Sequence, residues 1–508
     1  MKELNKVICG IYILVVVLLL PLYVENNYFN ILEAKRNVFW MGAVICIVLM
    51  VVSASIKSIF MMKEREKYYQ INIKSIIRDI SFMDIAVVGY VITVFVSAVC
   101  SEWKKDAFTG NMGYYVGALF ILAVVLLYFF ISRQNDYSDN VWLYMFIASF
   151  LVVLLGILNR MRIDPFSMHD NLTYGAYFYW LSTVGNTDYY HAFLSIIIAV
   201  FLSIFPSLDK KWERVAVQIL LIMGYLGIYI ASASSVFAGL GVFALFAIYV
   251  SLSDKIFFTS LLKQGIIFSF VGVIADLLYH FSFDKVANFD NETICVLILD
   301  YHLYVLVGVL SCIFLIVLRF RHIQNIFNHI KKMYPWFIVS GFVLLIGWVI
   351  VEPNFDIWFT RTPVWRFAIE GFERGDWRER LIGYGPCCCD YMIFKHNLNA
   401  DGRIASMGFL YDTTGFKFQT LHSELMDGLC TIGIVGVGFY VAIWGSLIID
   451  IIKNNYKDKV QLWLMAGLMA YLGQSASNGP HPMLFPLGFL FLALYRNIEL
   501  KKSESLRK

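Results

Sequence analysis

Long apolar runs alternate with short polar loops along the chain, which is the pattern of a protein that crosses a membrane many times. A helix needs about 20 apolar residues to cross the hydrocarbon core of a bilayer, and runs of about this length predict roughly fourteen spans. They cover residues 7–24, 38–56, 82–100, 113–132, 141–158, 189–206, 215–232, 234–252, 265–282, 293–318, 335–351, 427–450, 460–475 and 483–496. The pattern therefore predicts an all-α fold, a polytopic integral membrane bundle of helices.

Lysine and arginine residues cluster in the short loops on one side of these predicted spans. The basic segments are 57–78, 210–214, 319–332 and 496–508. The order of the spans places all of them on the side of the N-terminus. Because short basic loops face the cytoplasm in most membrane proteins, we expect a multi-pass protein of the cytoplasmic membrane with both termini in the cytoplasm.

Two of the basic loops also carry apolar residues at helical spacing. These residues are Tyr69, Ile73, Ile76, Ile77 and Ile80 in the first loop, and Phe320, Ile323, Phe327 and Ile330 in the second. Apolar residues at this spacing among basic ones are typical of helices that lie in the membrane interface. We expect both segments to be amphipathic anchors that contact membrane lipids.

The composition agrees with this interpretation. Of 508 residues, 59% are hydrophobic and 15% are charged, whereas soluble domains carry roughly 45–50% apolar and about 25% charged residues. The mean hydropathy is +0.68. A soluble enzyme and a disordered chain are therefore excluded. The formal net charge of +4 is too small and too dispersed to indicate a nucleic-acid partner.

The predicted spans divide the chain into four regions. Residues 1–180 hold the N-terminal spans, 181–351 the central spans, 352–426 a large outer loop, and 427–508 the C-terminal spans and a cytoplasmic tail. The loop leaves the membrane between residues 352 and 421. It is the one predicted segment large enough to hold a site outside the bilayer.

This outer loop contains signals for short helices. Thr362 followed by Pro363 predicts a helix start, and Gly375 predicts its end. An apolar stripe at helical spacing lies between them, formed by Trp365, Ala368, Ile369 and Phe372. The stripe predicts a helix that lies on the membrane or on the bundle. A tight turn at 383–386 follows, and Thr420 is placed to cap a helix that runs into the span 427–450.

Two residues at the ends of the loop have side chains suited to chemistry. His422 falls in the first turn of the helix that Thr420 is predicted to cap. A helix N-terminus disfavours a cationic imidazole, so a neutral, proton-accepting histidine is expected there. Arg361 follows the span 335–351 at the other end of the loop. An arginine beside the bilayer is a natural bidentate partner for phosphate.

In their order and membrane placement these residues resemble the O-antigen ligase/polymerase family. The resemblance rests on Arg361-Thr-Pro-Val-Trp365-Arg-Phe-Ala368, on Gly383-Tyr-Gly385, and on His422-Ser423-Glu424-Leu425 before Gly433-Ile-Val-Gly436. Ser182-Thr-Val-Gly185-Asn186 is similar to a further family segment, and Phe108-Thr-Gly110 with Gly117 is a weaker match. The similarity is strongest over 180–450.

The resemblance implies a membrane glycosyltransferase. Its donor would be a glycan linked to a polyprenyl diphosphate, and its acceptor a hydroxyl group on a glycan, a lipid or a protein at the outer face. Arg361 would stabilise the departing diphosphate, and His422 would act as the base that activates the acceptor hydroxyl. Trp365, Arg366, Gly383, Gly385 and Glu424 would contribute to substrate binding. The family works without a metal or another cofactor.

One feature departs from the family pattern. Members often carry a further arginine near the serine-rich turn that here reads Ser232-Ala-Ser234-Ser235. Arg160 and Arg162, in the preceding outer loop, are the candidates to replace it as substrate-binding residues.

Other functions stay open. Asp276, His280, Asp300 and His302 lie in or near predicted spans, and ionisable residues there are typical of proton- or ion-coupled transporters. A non-catalytic scaffold for envelope assembly is a further alternative. Cys387, Cys388 and Cys389 are adjacent, which is poor geometry for pairing with one another.

Overall fold

A computed structural model describes residues 2–63, 79–110, 114–134, 141–172, 179–231, 233–281, 294–320, 323–351, 362–396, 420–453 and 458–505. About 81% of these residues are helical. A two-residue antiparallel pair, Trp180–Leu181 with Gly185–Asn186, is the β-structure in this part of the chain. The prediction of an all-α membrane protein is therefore confirmed at the level of fold class.

The described helices are numbered in chain order. They are α1 Lys2–Ile13, α2 Ile31–Lys63, α3 Phe82–Cys100, α4 Lys104–Thr109, α5 Ala118–Ser132, α6 Val141–Arg160, α7 Thr187–Ile204, α8 Lys211–Ala231, α9 Ser235–Ser251, α10 Lys255–Phe281, α11 Ile294–Asp300, α12 Leu303–Val317, α13 Ile323–Val351, α14 Thr362–Arg374, α15 Trp377–Ile382, α16 Cys389–Lys395, α17 Glu424–Thr431, α18 Gly433–Lys453, α19 Lys459–Ser475 and α20 Leu484–Ser505. α1 continues through a π-helical turn, Leu14–Leu19, into Leu20–Leu22.

Among the described residues, eight helices are long and apolar enough to cross a membrane, or nine if a bent pair counts as one span. They are α1 with its extension, α2, α3, α6, α7, α8, α10 and α18. The number of fourteen spans is not confirmed. α5 and α9 are apolar but shorter, with 15 and 17 residues. α19 and the first half of α20 are almost entirely buried among the other helices.

The middle of the bundle is formed by α7, α9 and α19, which pack closely on one another. Nearly all of α7 and α19 is buried, whereas α2 and α12 expose large apolar side chains along one face. Continuous exposed apolar faces of this kind are costly in water and typical of a surface that contacts lipid. The burial pattern therefore agrees with a membrane bundle whose central helices are shielded by an outer layer.

Two helices differ from the sequence expectations. α11 and α12 form a pair bent by 74°, and His302 at the bend has a left-handed backbone with φ of +49°. α13 runs unbroken through the second predicted interfacial segment and the predicted span 335–351, with Pro335 inside it. The two predicted elements are thus one helix. Most of the first interfacial segment lies outside the described residues.

The direction of the central helices defines two ends of the bundle. α7 and α9 begin near each other, where the Ser235 hydroxyl donates to the Asp188 carbonyl oxygen (3.2 Å), and α19 ends there at Ser475. An α-helix rises 1.5 Å per residue, so the 18 residues of α7 carry the chain about 27 Å to the opposite end. A pocket lies at the first end and an open cleft at the second.

Candidate functional site

The helix predicted after Thr362 is present as α14. It spans Thr362–Arg374 and ends at Gly375. Ala368 is fully buried and Ile369 is 45% exposed. Only one side of the predicted apolar stripe, the side of Ala368, therefore packs against the rest of the protein. The Cys430 thiol of α17 donates to the Ala368 carbonyl oxygen (3.7 Å). Trp365 is half-buried, whereas Arg361 and the side chain of Arg366 lie outside the described part of the chain.

The Gly-Tyr-Gly turn packs against the end of α17. The backbone N–H groups of Tyr384 and Gly385 donate to the carbonyl oxygens of Cys430 and Thr431, both at 2.9 Å. Gly383 and Gly385 have φ values of +77° and +116°, where side chains are strained. A Cβ atom on Gly383 would lie 2.3 Å from the Thr431 carbonyl carbon. Glycine is therefore required for this contact, and the two glycines act through the backbone.

The start of α17 corrects two sequence predictions. The N-cap is Ser423, whose hydroxyl accepts from the Met426 N–H (3.4 Å), and His422 precedes the helix with φ of +54°. Thr420 does not cap the helix, because its hydroxyl donates to the Asp427 carboxylate. The Leu421 N–H donates to the same carboxylate (2.8 Å). These bonds fix residues 420–421 beside the helix, so His422 does not lie in its first turn.

Glu424 is a buried carboxylic acid at the start of α17. The hydroxyls of Tyr440 and Tyr471 donate to its two oxygens at 2.8 and 2.7 Å, and its backbone N–H donates to the Asn478 carbonyl oxygen (3.0 Å). Burial raises the pKa of Glu424 to about 7, although the two tyrosine hydrogen bonds oppose the shift. Near neutral pH this carboxyl can therefore both release and accept a proton.

Asp427 lies one helical turn further on and is also buried. Besides Thr420 and Leu421, the Cys389 thiol donates to its Oδ1 atom (3.3 Å). Burial raises the pKa of Asp427 to about 6, against the effect of these hydrogen bonds. The sequence analysis missed Asp427. The sequence does contain a signal for it. Glu424 and Asp427 are three residues apart at the start of an apolar stretch, and this spacing places both on one face of a helix.

The two carboxylates line a pocket. We call it the acidic pocket. Its other walls come from α3 and α18, from the segment before α5, from the turn that follows Gly385, and from the loop between α19 and α20 with the first turn of α20. Representative wall residues are Tyr90, Tyr114, Pro386, Cys387, Pro480 and Phe485. His422, although two residues from Glu424, does not contribute to the walls that the structure describes.

The remaining segments of the family resemblance lie around the same pocket. Gly117 lies directly against Gly110, since a Cβ atom on Gly117 would lie 2.4 Å from the Gly110 nitrogen. Gly185 and Asn186 lead into α7, which Asn186 caps. Three residues into α7, the Tyr189 hydroxyl donates to the Gly479 carbonyl oxygen (3.4 Å), next to the pocket residue Pro480.

A buried histidine lies behind this wall. His481 is 1% exposed, and its ring centroid is 4.1 Å from that of Tyr189. Its Nδ1 atom accepts from the Met483 N–H (3.1 Å), and burial lowers its pKa well below the usual value. His481 is thus a neutral imidazole adjoining the acidic pocket. Only tertiary packing reveals it, because in the sequence it lies in an ordinary loop.

Two of the predicted arginines, Arg160 and Arg162, do not line the described walls of the acidic pocket. Arg160 is 1% exposed at the end of α6 and lies near Tyr190 and His191 of α7. Arg162 is exposed, with φ of +58°. Neither lines the described pocket walls. The positions of Arg160 and Arg162 therefore do not support their predicted role as replacements for a family arginine.

A separate cluster of ionisable groups lies at the bent helix pair. The Tyr304 hydroxyl donates to the Asp276 Oδ2 atom (2.8 Å). His302 Nδ1 lies 3.2 Å from the same oxygen, and His280 Nδ1 lies 3.7 Å from Asp276 Oδ1. Among the residues that the structure describes, no group of His, Cys, Asp or Glu side chains has the arrangement of a metal site.

Comparison with known proteins adds no family assignment. No protein-family model matches this chain, and neither the curated proteins nor the solved structures contain a significant match. The chemistry of the acidic pocket is therefore the basis for a functional proposal.

Proposed function

We propose that this protein is a membrane glycosyltransferase of the O-antigen ligase/polymerase type. It would transfer a glycan from a polyprenyl-diphosphate donor to a hydroxyl group of a glycan, lipid or protein acceptor, at the outer face of the cytoplasmic membrane. The single observation that carries the proposal is the acidic pocket: segments that resemble the family, far apart in the sequence, surround two buried carboxylates there.

Glu424 is the proposed base. In the reaction, the acceptor hydroxyl gives its proton to the Glu424 carboxylate, its oxygen forms the new bond to the anomeric carbon, and the bond to the diphosphate oxygen breaks. A base with a pKa near the working pH is the most effective one. Each oxygen of Glu424 accepts one tyrosine hydrogen bond and keeps a second lone pair for this proton. Asp427 holds residues 420–421 in place beside it.

The diphosphate leaves with negative charge, which a cation must stabilise. Arg361 keeps this role as a prediction. It directly precedes α14, and α14 packs on α17, the helix that carries Glu424. His422, the base that the sequence suggests, has a half-buried side chain next to the N-cap of α17. We assign it to the pocket rim, where it can contact the donor or acceptor.

The test is glycan transfer by purified protein in lipid nanodiscs, with lipid-linked glycan extracted from producing cells as donor. We expect Glu424→Gln to lower the rate by about 10²–10⁴-fold, which is the usual contribution of a general base. Glu373→Gln, which changes an exposed glutamate of α14, is the matched control and should keep full activity. A larger loss in His422→Gln than in Glu424→Gln would return the role of base to His422.

Coupled transport is the second candidate function, and the bend between α11 and α12 favours it. Transporters place ionisable groups at broken helices, and Asp276 contacts His302 at this bend. The test is proton flux into liposomes that contain the protein. If the protein is a coupled transporter, the unchanged protein should give a proton flux and Asp276→Asn should abolish it. Glycosyl transfer should be unchanged in the same variant.

A further inference from the structure

The opposite end of the bundle holds an open cleft. We call it the basic cleft. It lies where α7 and α9 end and where α10 and α19 begin, with α13 as a further wall. Three lysines, Lys255, Lys331 and Lys459, line it, each from a different helix. No sequence motif joins these lysines, and the proposed glycosyl transfer does not use them.

Two of the three lysines, Lys331 and Lys459, are held at the cleft by specific contacts. The Lys331 ammonium donates to the Ser253 hydroxyl (2.5 Å) and lies 4.7 Å from the centroid of the Tyr249 ring. The Lys459 ammonium donates to the Ser207 carbonyl oxygen (3.3 Å). Each ammonium group has three N–H donors, so both keep donors for a ligand. Lys255, the first residue of α10, is exposed.

The negative charge in the cleft is already engaged. Asp254 caps α10, and its Oδ1 atom accepts from the N–H groups of Ile256 and Phe257, both at 2.9 Å. Among the described lining residues, Asp254 is the one carboxylate against three ammonium groups, which leaves a net charge of about +2. The polar part of the basic cleft is therefore suited to an anion.

The rest of the cleft wall is apolar. Phe257, Leu462 and Val250 are at most 7% exposed and form its buried part, whereas Ile256, which also lines it, is 74% exposed. On α13, Trp336 is 73% exposed five residues after Lys331, and exposed tryptophan is typical of the membrane–water interface. A ligand that fits this cleft has an anionic head and an apolar body.

We propose that the basic cleft binds an anionic phospholipid, with the phosphate between Lys255, Lys331 and Lys459 and the acyl chains against the apolar wall. The basic loops place this end of the bundle at the cytoplasmic leaflet, whose lipids attract lysine side chains. A soluble phosphate compound shares the phosphate but has no use for the apolar wall. The proposal does not depend on glycosyl transfer.

The experiment measures thermal unfolding of the purified full-length protein in a neutral detergent. Added dioleoyl phosphatidylglycerol should raise the unfolding midpoint, because a ligand that binds only the folded state stabilises it. Dioleoyl phosphatidylcholine, with no net charge, should leave the midpoint unchanged. The lipid concentration at half-maximal shift gives the apparent affinity.

The decisive variant is Lys255→Gln/Lys331→Gln/Lys459→Gln. Loss of one lysine contact with an anionic lipid lowers the affinity by about fivefold. The triple variant should therefore bind phosphatidylglycerol about a hundredfold more weakly. The matched control is Lys210→Gln/Lys211→Gln/Lys453→Gln, which changes lysines outside the cleft lining. The control, and the variant with arginine at the three cleft positions, should bind as the unchanged protein does.

Three results would overturn the proposal. The first is an equal phosphatidylglycerol shift in the glutamine variant and the unchanged protein. The second is loss of binding in the control as well, which would indicate a general effect of net charge. The third is an equal shift with inorganic phosphate, which would make the cleft a site for soluble anions. If the glutamine variant fails to fold, normal binding by the arginine variant supports the proposal, and its failure to bind contradicts it.

Discussion

The acidic pocket and the basic cleft lie at opposite ends of the same three helices, α7, α9 and α19, yet their charged groups are in opposite physical states. Glu424 and Asp427 are buried, and burial raises their pKa values to about 7 and 6. The side chains of Lys255 and Lys459, in contrast, are exposed. A buried group with a displaced pKa is suited to proton transfer, whereas exposed charges are suited to attracting an anion. The buried carboxylates are thus suited to the proposed proton transfer at one end of the helices, and the exposed lysines to the proposed anion binding at the other.

The largest effect on stability is expected from Asp427→Ala at the pocket end. The change leaves the Leu421 N–H and the Thr420 hydroxyl without their acceptor, and each unsatisfied buried group costs about 1–3 kcal/mol. We expect a loss of about 3 kcal/mol or more, measured by chemical unfolding in detergent. Asp170→Ala, at an exposed aspartate, is the control and should stay within about 0.5 kcal/mol. Equal stability of the two variants would show that Asp427 does not organise the pocket.

The pH dependence of stability should separate the two ends. The pKa of Glu424 is raised in the folded protein from 4.5 to about 7, so folding favours the neutral carboxyl. Its contribution is complete below about pH 4.5 and is lost as the pH rises through 7. The shift corresponds to about 3 kcal/mol.

Glu424→Gln serves as the reference for this measurement. The unchanged protein should lose stability relative to the variant between about pH 5 and pH 8, in thermal unfolding followed by circular dichroism. The triple glutamine variant of the basic cleft should follow the unchanged protein over this range. A constant difference between the unchanged protein and Glu424→Gln across the range would mean that Glu424 is not buried as described.

Gly383→Ala tests the backbone contact between the glycine turn and the end of α17. The new Cβ atom would meet the Thr431 carbonyl carbon at 2.3 Å, at a φ of +77°, and we expect a loss of about 2 kcal/mol. Gly438→Ala in α18 is the matched control, because a Cβ atom there meets nothing within 4 Å. It should change the unfolding free energy by less than about 1 kcal/mol. Similar losses of unfolding free energy in Gly383→Ala and Gly438→Ala would show that the turn does not require glycine at position 383.

The smallest effect is expected from the basic cleft in the absence of anionic lipid. Its lysines are exposed or half-buried, and exposed charges contribute less than about 1 kcal/mol each. The triple glutamine variant should therefore transfer glycan within about twofold of the unchanged protein in nanodiscs of neutral lipid. A large loss of transfer under these conditions would join the two sites and contradict their separation.

The sequence analysis succeeded where local chemistry decides the outcome. Apolar runs of membrane length indicated the helical membrane class, and Thr362 to Gly375 defined the bounds of α14. The glycine turn at 383–385 was recognised as well. The cap of α17 was wrong, because Thr420 and Ser423 are equally good caps locally and the Asp427 carboxylate decides between them.

Tertiary packing explains the parts that were missed. Asp427 and His481 are unremarkable in the sequence, and burial is the largest cause of their displaced pKa values. The lysines of the basic cleft come from helices up to 204 positions apart, a separation that no local pattern can bridge. The convergence of Arg361 with the pocket stays a prediction, because that residue lies outside the described part of the chain.

The pH dependence of glycan transfer tests the central claim most directly, namely that buried Glu424 is the base at the acidic pocket. Only the ionised carboxylate can accept the acceptor's proton, so we expect the rate to rise with pH and to level off above about pH 7. Glu424→Asp should keep a reduced rate with a displaced midpoint, and Glu424→Gln should lose the rise. A rate with the same midpoint in the unchanged protein and in Glu424→Gln would contradict the assignment of Glu424 as the base.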